Sequence, residues 1–230
     1  CHDPLTHERL HGWHAALFPT GYSGMTKILV GGYREHGEPM QIVSGRVGRE
    51  KVHYEAPPSA RVPEEMDRLL QWFNAGTEPD TLARAALAHV WFETIHPFED
   101  GNGRLGRVLV DLLLARDSGE TSRLFRTSQR LLDLRLDYYA NLERAQHGGV
   151  DVSDWVCWFV EQMQAACEAA STVVDHTLVK ARFWLDHSTQ ALSERQRKVM
   201  NLLLDAGPGG FDGGMSTRKY ENLTGTSRAT

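Results

Sequence analysis

Cysteine is scarce in this sequence. Its three members, Cys1, Cys157 and Cys167, form no CxxC or Cys/His spacing, which excludes a zinc finger and a disulfide scaffold. Cys157 and Cys167 lie ten residues apart in one helical pattern, too far to bridge along it. They read as two core thiols in a reducing compartment, the cytoplasm by default. No apolar run approaches the ~18 residues of a membrane span, so no membrane partner is expected. The N-terminus has no charged stretch followed by an apolar run, which excludes a signal peptide. Positive charge is not in excess either. The 25 Lys and Arg stand against 30 Asp and Glu, leaving no footprint for wholesale nucleic-acid binding. Internal repeats and low-complexity tracts are absent. A proline count of 9 and 24% charged residues are ordinary values that argue against global disorder. The 230 residues suit one generous domain, or one domain with a small appendage. Such a chain buries roughly 70% of its unfolded surface. It opens on Cys rather than Met and stops within a helix-like pattern, so it reads as a piece of something longer.

The pattern is mainly helical. Leu5 to Leu17 reads as a helix capped by Thr6, with Leu10, Trp13 and Leu17 on one face. His11 and His14 read as surface or helix-face residues. Pro19-Thr20-Gly21 ends that helix. Met40–Ser44 and Lys51–Tyr54 flank Gly45-Arg46-Val47-Gly48, which predicts a β-hairpin, the only clear β element. Arg46 and Lys51 read equally as solvated charges or as target contacts. Helices follow with faces marked by Met66, Leu69, Leu70 and Phe73, and then by Leu82, Ala86 and Val90 up to Pro97. Another begins near Gly103, and more span about Arg130 to Gln146 and Ser153 to His187. Trp155, Trp158 and Phe159 read as core. From Ser188 the character changes. A helix capped by Ser193, a Gly-rich loop, a short helix from Ser216 to Leu223 and the turn Thr224-Gly225 make helix-turn-helix grammar.

One stretch carries chemistry: His96-Pro97-Phe98-Glu99-Asp100-Gly101-Asn102-Gly103-Arg104-Leu105-Gly106-Arg107. An apolar helix delivers a histidine into a loop, and a new helix starts at once. Glycines let backbone N–H groups approach a ligand closely. The new helix adds unpaired N–H groups and its positive dipole end, a cradle suited to phosphate. Arg104 and Arg107 fall on one helical face and offer forked donors to phosphate oxygens. Asp100 is a hard oxygen ligand fit to hold Mg²⁺ against a polyphosphate. His96 has the proton affinity of a general base. A nucleotide, a metal and a base within twelve residues read as nucleotidyl or phosphoryl transfer. Two blander readings compete. DGNG alone is a plain turn, but His96 and both arginines at this spacing argue against that. His89, Glu93 and His96 fall on one helical face and Asp100 follows, as in a metal-hydrolase cluster. That reading leaves the arginines and glycines unexplained, and Pro97 lifts His96 out of the helix. His89 is then a hydrogen-bonded packing residue.

The stretch resembles the signature of the Fic family, His-x-Phe-x-Asp/Glu-Gly-Asn-Gly-Arg-x-x-Arg, at every fixed position. The resemblance extends from Leu5 to His187. Gly32-Tyr33-Arg34, the hairpin and His53 to Pro58 are similar to the region before a Fic core, where the hairpin acts as a flap. Tyr138-Tyr139 and Gln146 are similar to the nucleotide-side helix. The implied fold is a Fic-type helical bundle with a β-hairpin flap over residues 1–187. Residues 188–230 resemble a truncated winged helix of one bacterial subgroup. The implied activity is transfer of AMP from Mg-ATP to a Ser, Thr or Tyr hydroxyl of a protein. His96 would be the base and Asp100 the Mg²⁺ ligand. Asn102 and the amides of Gly101 and Gly103 would stabilise phosphate charge. Arg104 and Arg107 would hold the leaving pyrophosphate, and Phe98 would pack inward. Tyr139 and Gln146 would lie on the adenosine side. The target would pair with the backbone of Met40–Ser44 by β-augmentation.

Removal of AMP, or transfer of another nucleotide or of phosphate, fits the same motif. A DNA-binding regulator that senses nucleotide is the alternative of another class. It rests on Ser193 to Thr230, and DNA binding is expected only with a complete C-terminal domain. Family members also imply a homodimer. The inhibitory pattern Ser/Thr-x-x-x-Glu-Gly/Asn occurs once, at Thr217 to Asn222. It sits where the helix-turn-helix needs a helix, so an inhibitory helix is expected upstream instead.

Overall fold

The structure, a computed structural model, describes residues 3–46, 49–76, 80–118, 127–207, 210–211 and 213–226. The chain divides into two compact units, Cys1–Ala166 and Cys167–Thr230. In the first unit, α1 (His7–Leu17) is followed by two small antiparallel hairpins. These are β1 (Tyr22–Ser23) with β2 (Thr26–Lys27), and β3 (Gln41–Arg46) with β4 (Arg49–Glu55). Then come a 3₁₀ turn (Ser59–Arg61), α2 (Val62–Ala75), α3 (Thr81–Ile95), α4 (Asn102–Ser118), α5 (Thr127–Asp133), α6 (Arg135–His147) and the start of α7 (Ser153–Asp186).

The fold is mostly helical, as expected. Thr6 caps α1, its hydroxyl accepting the Arg9 N–H at 3.3 Å, so the helix begins at His7 rather than Leu5. The larger hairpin forms where the sequence predicts it. Its turn residues 47–48, and the side chains of Arg46 and Lys51, lie outside those described. The smaller hairpin departs from the expectation of a single β element. It turns at Gly24, whose φ of 56° suits glycine.

The core is built around α3. Asp80 caps it by accepting the Leu82 and Ala83 N–H groups at 2.8 and 3.0 Å. Ala85, Ala86 and Ala88 are fully buried, as are Phe92 and His89. A helix apolar nearly all round belongs in the middle of a bundle. The alanines let neighbours approach closely. Trp155 on α7 donates its indole N–H to the Ala86 carbonyl at 2.8 Å, while Phe159 and Met163 extend the contact. Trp158 is partly buried against the same core.

Two expectations need correction here. The single helix predicted over Arg130 to Gln146 is broken at Leu134, where ψ reaches 30°. Leu131, Leu132, Leu134 and Leu136 form no single stripe, and Leu132 and Leu136 are exposed. Cys157 and Cys167 are exposed on α7 and are not core thiols; the buried face of that helix is carried by Trp155, Phe159, Gln162 and Met163. Cys1 lies outside the described residues.

In the second unit the described elements are helical: the end of α7, α8 (Glu194–Ala206) and α9 (Thr217–Thr224). Ser193 and Gln196 form a capping box on α8. Trp184 donates to Asn201 Oδ1 at 3.0 Å, and Val199 is buried. The Thr217 to Asn222 pattern lies on α9. No described helix is long and apolar enough to cross a membrane.

Candidate active site

His96 is where α3 stops. Pro97 disfavours helical backbone before it, and His96 takes up a left-handed conformation with φ 50°. It is the one non-glycine residue with positive φ among those described. Such strain persists only where the surroundings over-determine it. Arg34, fully buried, provides the restraint. Its Nε donates to the His96 carbonyl at 2.8 Å, and its Nη2 to the carbonyls of Ile95, at 3.3 Å, and Pro57. A guanidinium across the last carbonyls of a helix also suits the negative end of its dipole. The sequence marked Arg34 only as part of a flanking segment.

The loop after His96 is closed by Asn102. Its Oδ1 accepts the Phe98 N–H at 2.9 Å and its Nδ2 donates to the Phe98 carbonyl at 2.8 Å. Phe98 is fully buried and stacks on His14, with ring centroids 4.2 Å apart and planes 9° from parallel. His14 therefore corrects the surface or helix-face reading. It is buried, it donates from Nε2 to the Asp100 carbonyl at 3.1 Å, and its Nδ1 accepts the Gly31 N–H at 3.1 Å. Both nitrogens are committed to a neutral ring, and burial pushes its pKa down. Gly101 has φ 87°, and a Cβ there would lie 2.8 Å from the Phe18 ring, so no larger residue fits.

The first turn of α4 supplies the cradle. The first N–H groups of a helix have no i−4 acceptor within it, although here the Arg104 N–H turns back to the Gly101 carbonyl at 3.1 Å. Asp100 stands beside them, about half exposed. Its Oδ1 accepts the Gly101 N–H at 2.5 Å and its Oδ2 accepts the Ser23 hydroxyl. Arg104 lies over the Phe18 ring at 4.5 Å, with Nη2 3.7 Å from Asp100 Oδ2. Arg107 points inward. A Cβ built on Gly103 would meet Arg107 Nη1 at 3.4 Å and Glu93 Oε1 at 3.8 Å. Both arginines line a cleft of about 260 Å³ that also holds Asp100, Gly101 and Gly103.

That cleft adjoins a larger one of about 650 Å³, whose walls hold His96, Asp100, Gly101, Asn102, Gly103 and Arg107. Ile42 and Val43 of β3, Tyr54 of β4, and Tyr139 and Gln146 of α6 close its sides. Every site residue expected from the sequence thus lines one or both clefts. Gln146 donates Nε2 to the Glu93 carbonyl at 3.2 Å. His53 of β4 and Glu143 of α6 lie 2.9 Å apart and tie the hairpin to the opposite wall. Arg135, near the half-exposed Tyr139 ring at 5.6 Å, lines both clefts. It was invisible to the sequence reading because nothing local distinguishes it from a solvated helix charge.

The histidine has the chemistry of a base. Its Nδ1–H points to the Glu93 carbonyl at 3.3 Å, which leaves Nε2 with the lone pair. Burial holds its pKa down to about 4, so the ring is neutral near pH 7. Glu93 is itself buried, and burial lifts its carboxyl to about 7 against the pull of Arg107. His89 faces away from the cleft, with Nε2 2.9 Å from the Tyr138 hydroxyl and its ring stacked on Trp155. Among the described residues no group of three or more His, Cys, Asp or Glu is placed to hold a metal. A cation here would lean on Asp100 and on substrate oxygens.

Residues 4–114 match the Fic/DOC family model. A probable protein adenylyltransferase of Aquifex aeolicus is 30% identical over 99 residues, 43% of this chain and 28% of that protein. A protein adenylyltransferase Fic of Nematostella vectensis is 32% identical over 121 residues, 50% of this chain and 26% of that one. The chain thus spans about a quarter of the length of these curated relatives. Among solved structures, a Fic family protein from Desulfovibrio desulfuricans G20 superposes with a TM-score of 0.58 at 26% identity. That match covers 96% of this chain and 57% of the other. The fold is also that of Fic-1 from Caenorhabditis elegans, residues 134–508, with a TM-score of 0.56 at 23% identity. It covers 76% of this chain and 46% of that one. With the complete signature seated on that fold, residues 4–114 belong to the Fic/DOC family.

Proposed function

We propose that the chain is a protein adenylyltransferase, moving AMP from ATP to a Ser, Thr or Tyr hydroxyl of a protein target. The observation that carries this reading is the seating of His96 beside the α4 cradle in a single cleft. His96 Nε2 takes the hydroxyl proton. The hydroxyl oxygen bonds the α-phosphorus as the bond to the β-phosphate breaks, and pyrophosphate leaves. The N–H groups of the first turn of α4, with Arg104 and Arg107, face the phosphate charge that develops. Asn102 shapes this cradle through its two bonds to Phe98. Asp100 suits Mg²⁺, being a half-exposed carboxylate beside the cradle. When bound, the cation would neutralise polyphosphate charge. Tyr139 and Gln146 would border the adenosine. The target strand would add to β3, whose residues Ile42 and Val43 line the cleft.

Residues 188–230 are read as the start of a winged helix, supported by α8, the short α9 and the left-handed turn at Gly225. The scarcity of cysteine supports a cytoplasmic setting. The test is incubation with α-labelled ATP, Mg²⁺ and candidate protein targets. Wild-type chain should label protein with a +AMP mass, and His96→Ala should lower the rate by about 10²–10⁴-fold. Labelling that survives the substitution unchanged would remove His96 from the reaction.

A further inference from the structure

The least explained group in the first unit is a carboxylate. Glu93 is only 4% exposed, and its Oε1 has no hydrogen-bond partner among the described residues. Burying an unpaired carboxylate is costly, and a glutamine or leucine would fill the same space more cheaply. The surroundings are nevertheless shaped around it. Gly106 lies against it, and a Cβ there would come within 2.7 Å of Glu93 Oε1 and 3.1 Å of the His89 ring. The other oxygen, Oε2, is 4.0 Å from His96 Nδ1. Its own backbone carbonyl accepts from His96 Nδ1 and from Gln146 Nε2. The titratable and charged groups that face it are His89 and His96 at the two ends of its own helical turn, Arg107 from α4, and Tyr138 from α6.

We propose that Glu93 is a positioning residue for the transfer reaction, its carboxylate steadying His96 and Arg107 from the wall of the cleft. The inference rests on the adenylyltransferase reading. As His96 Nε2 takes the target's proton, the ring becomes an imidazolium. Its Nδ1–H then faces a carboxylate across 4.0 Å, both side chains being largely buried, where such an attraction is stronger than in open solvent. Glu93 neither gains nor loses a proton in the step. The logic is that of a carboxylate behind a catalytic imidazole, reached here through a helical i, i+3 pair rather than a direct hydrogen bond. The same carboxylate opposes the charge of Arg107, so the guanidinium is held between it and the phosphates. Because burial lifts the Glu93 carboxyl to about 7, the helpful charged form appears only as pH rises through neutrality.

Three measurements on the full chain test this. Glu93→Gln keeps the shape and removes the charge. It should lower kcat for protein labelling about tenfold or more, with KM for ATP changed less. The rise of wild-type kcat through pH 7 should vanish in the variant, since a purely structural glutamate would not move a pH profile. Gly106→Ala should impair turnover although Glu93 is retained in the sequence, because the new methyl displaces its carboxyl. Independently of any activity, the His96 ring C–H signals in NMR should shift with a midpoint near pH 7 as Glu93 ionises. That shift should be lost in Glu93→Gln. An unchanged kcat and an unchanged pH limb in Glu93→Gln overturn the proposal, and so does a His96 titration identical in both proteins. If wild-type chain labels no protein, the adenylyltransferase reading fails, and the NMR titration still decides whether Glu93 and His96 are coupled.

Discussion

At the scale of single residues, the proposed base is held in a conformation it would not choose. His96 sits at φ 50°, a posture that costs an L-residue roughly 1–2 kcal/mol. The guanidinium of Arg34 bonded to its carbonyl and the bond from its N–H to the Phe92 carbonyl at 3.0 Å offset that cost. Gly101 is the second such point. Its φ is 87° and a methyl would overlap the Phe18 ring at 2.8 Å. Gly101→Ala should therefore destabilise the first unit by about 1–3 kcal/mol and weaken ATP binding, because the cradle's first N–H groups shift with the loop. Calorimetric binding of ATP and a thermal melt check both. A variant with unaltered affinity would mean that the loop does not shape the phosphate site. Phe18 packs against Gly101 and His14 holds the Asp100 carbonyl, and both come from α1 and its C-cap, far away in sequence.

At the scale of elements, the motif was legible because its chemistry is local. His96 through Arg107 need only one helix end, one loop and one helix start. Its supports are spread over the chain, and their signals are weak. A histidine in α1 has the same periodicity whether it faces solvent or, like His14, stacks on Phe98. The β1–β2 hairpin has two-residue strands, too short to show alternation. The break at Leu134 follows from which leucines find partners, and a single helical pattern cannot report that. The β3–β4 hairpin was legible from two short runs flanking a turn with glycine at both ends, and it offers an element-level test. The Met40 carbonyl accepts the Ala56 N–H at 2.9 Å, so the next residue, Gln41, turns its N–H to the open side of the strand. Proline is tolerated at such an edge position. Gln41→Pro should leave ATP binding unchanged and lower labelling of a protein target several-fold, read by comparing binding isotherms with labelling rates. Equal labelling would argue against target docking along β3.

At the scale of the whole molecule, buried titratable groups at one site set how global stability varies with pH. His89 and His96 are both held down to about 4 by burial. The unfolded chain protonates them near ~6.5, so each favours the fold at neutral pH and loses that favour as pH falls from there through 4. Glu93 works in the opposite direction. Its carboxyl is raised to about 7, whereas in the unfolded chain it ionises near ~4.3. The fold therefore binds this proton more tightly. The resulting stability is present below the unfolded value and is lost as pH rises to 7. A carboxylate kept for function at the expense of stability should show itself in a variant that cannot ionise. Glu93→Gln should be more stable than wild type at pH 8, by on the order of 3 kcal/mol from the size of the pKa displacement. The advantage should shrink steadily below pH 7 and disappear near pH 4.5. Because the chain has two compact units, a single melting point would mix them. Hydrogen exchange at the α3 amides, followed from pH 5 to 8, isolates the unit that holds Glu93. A stability difference that stays constant across that range would mean that Glu93 does not ionise within the folded core.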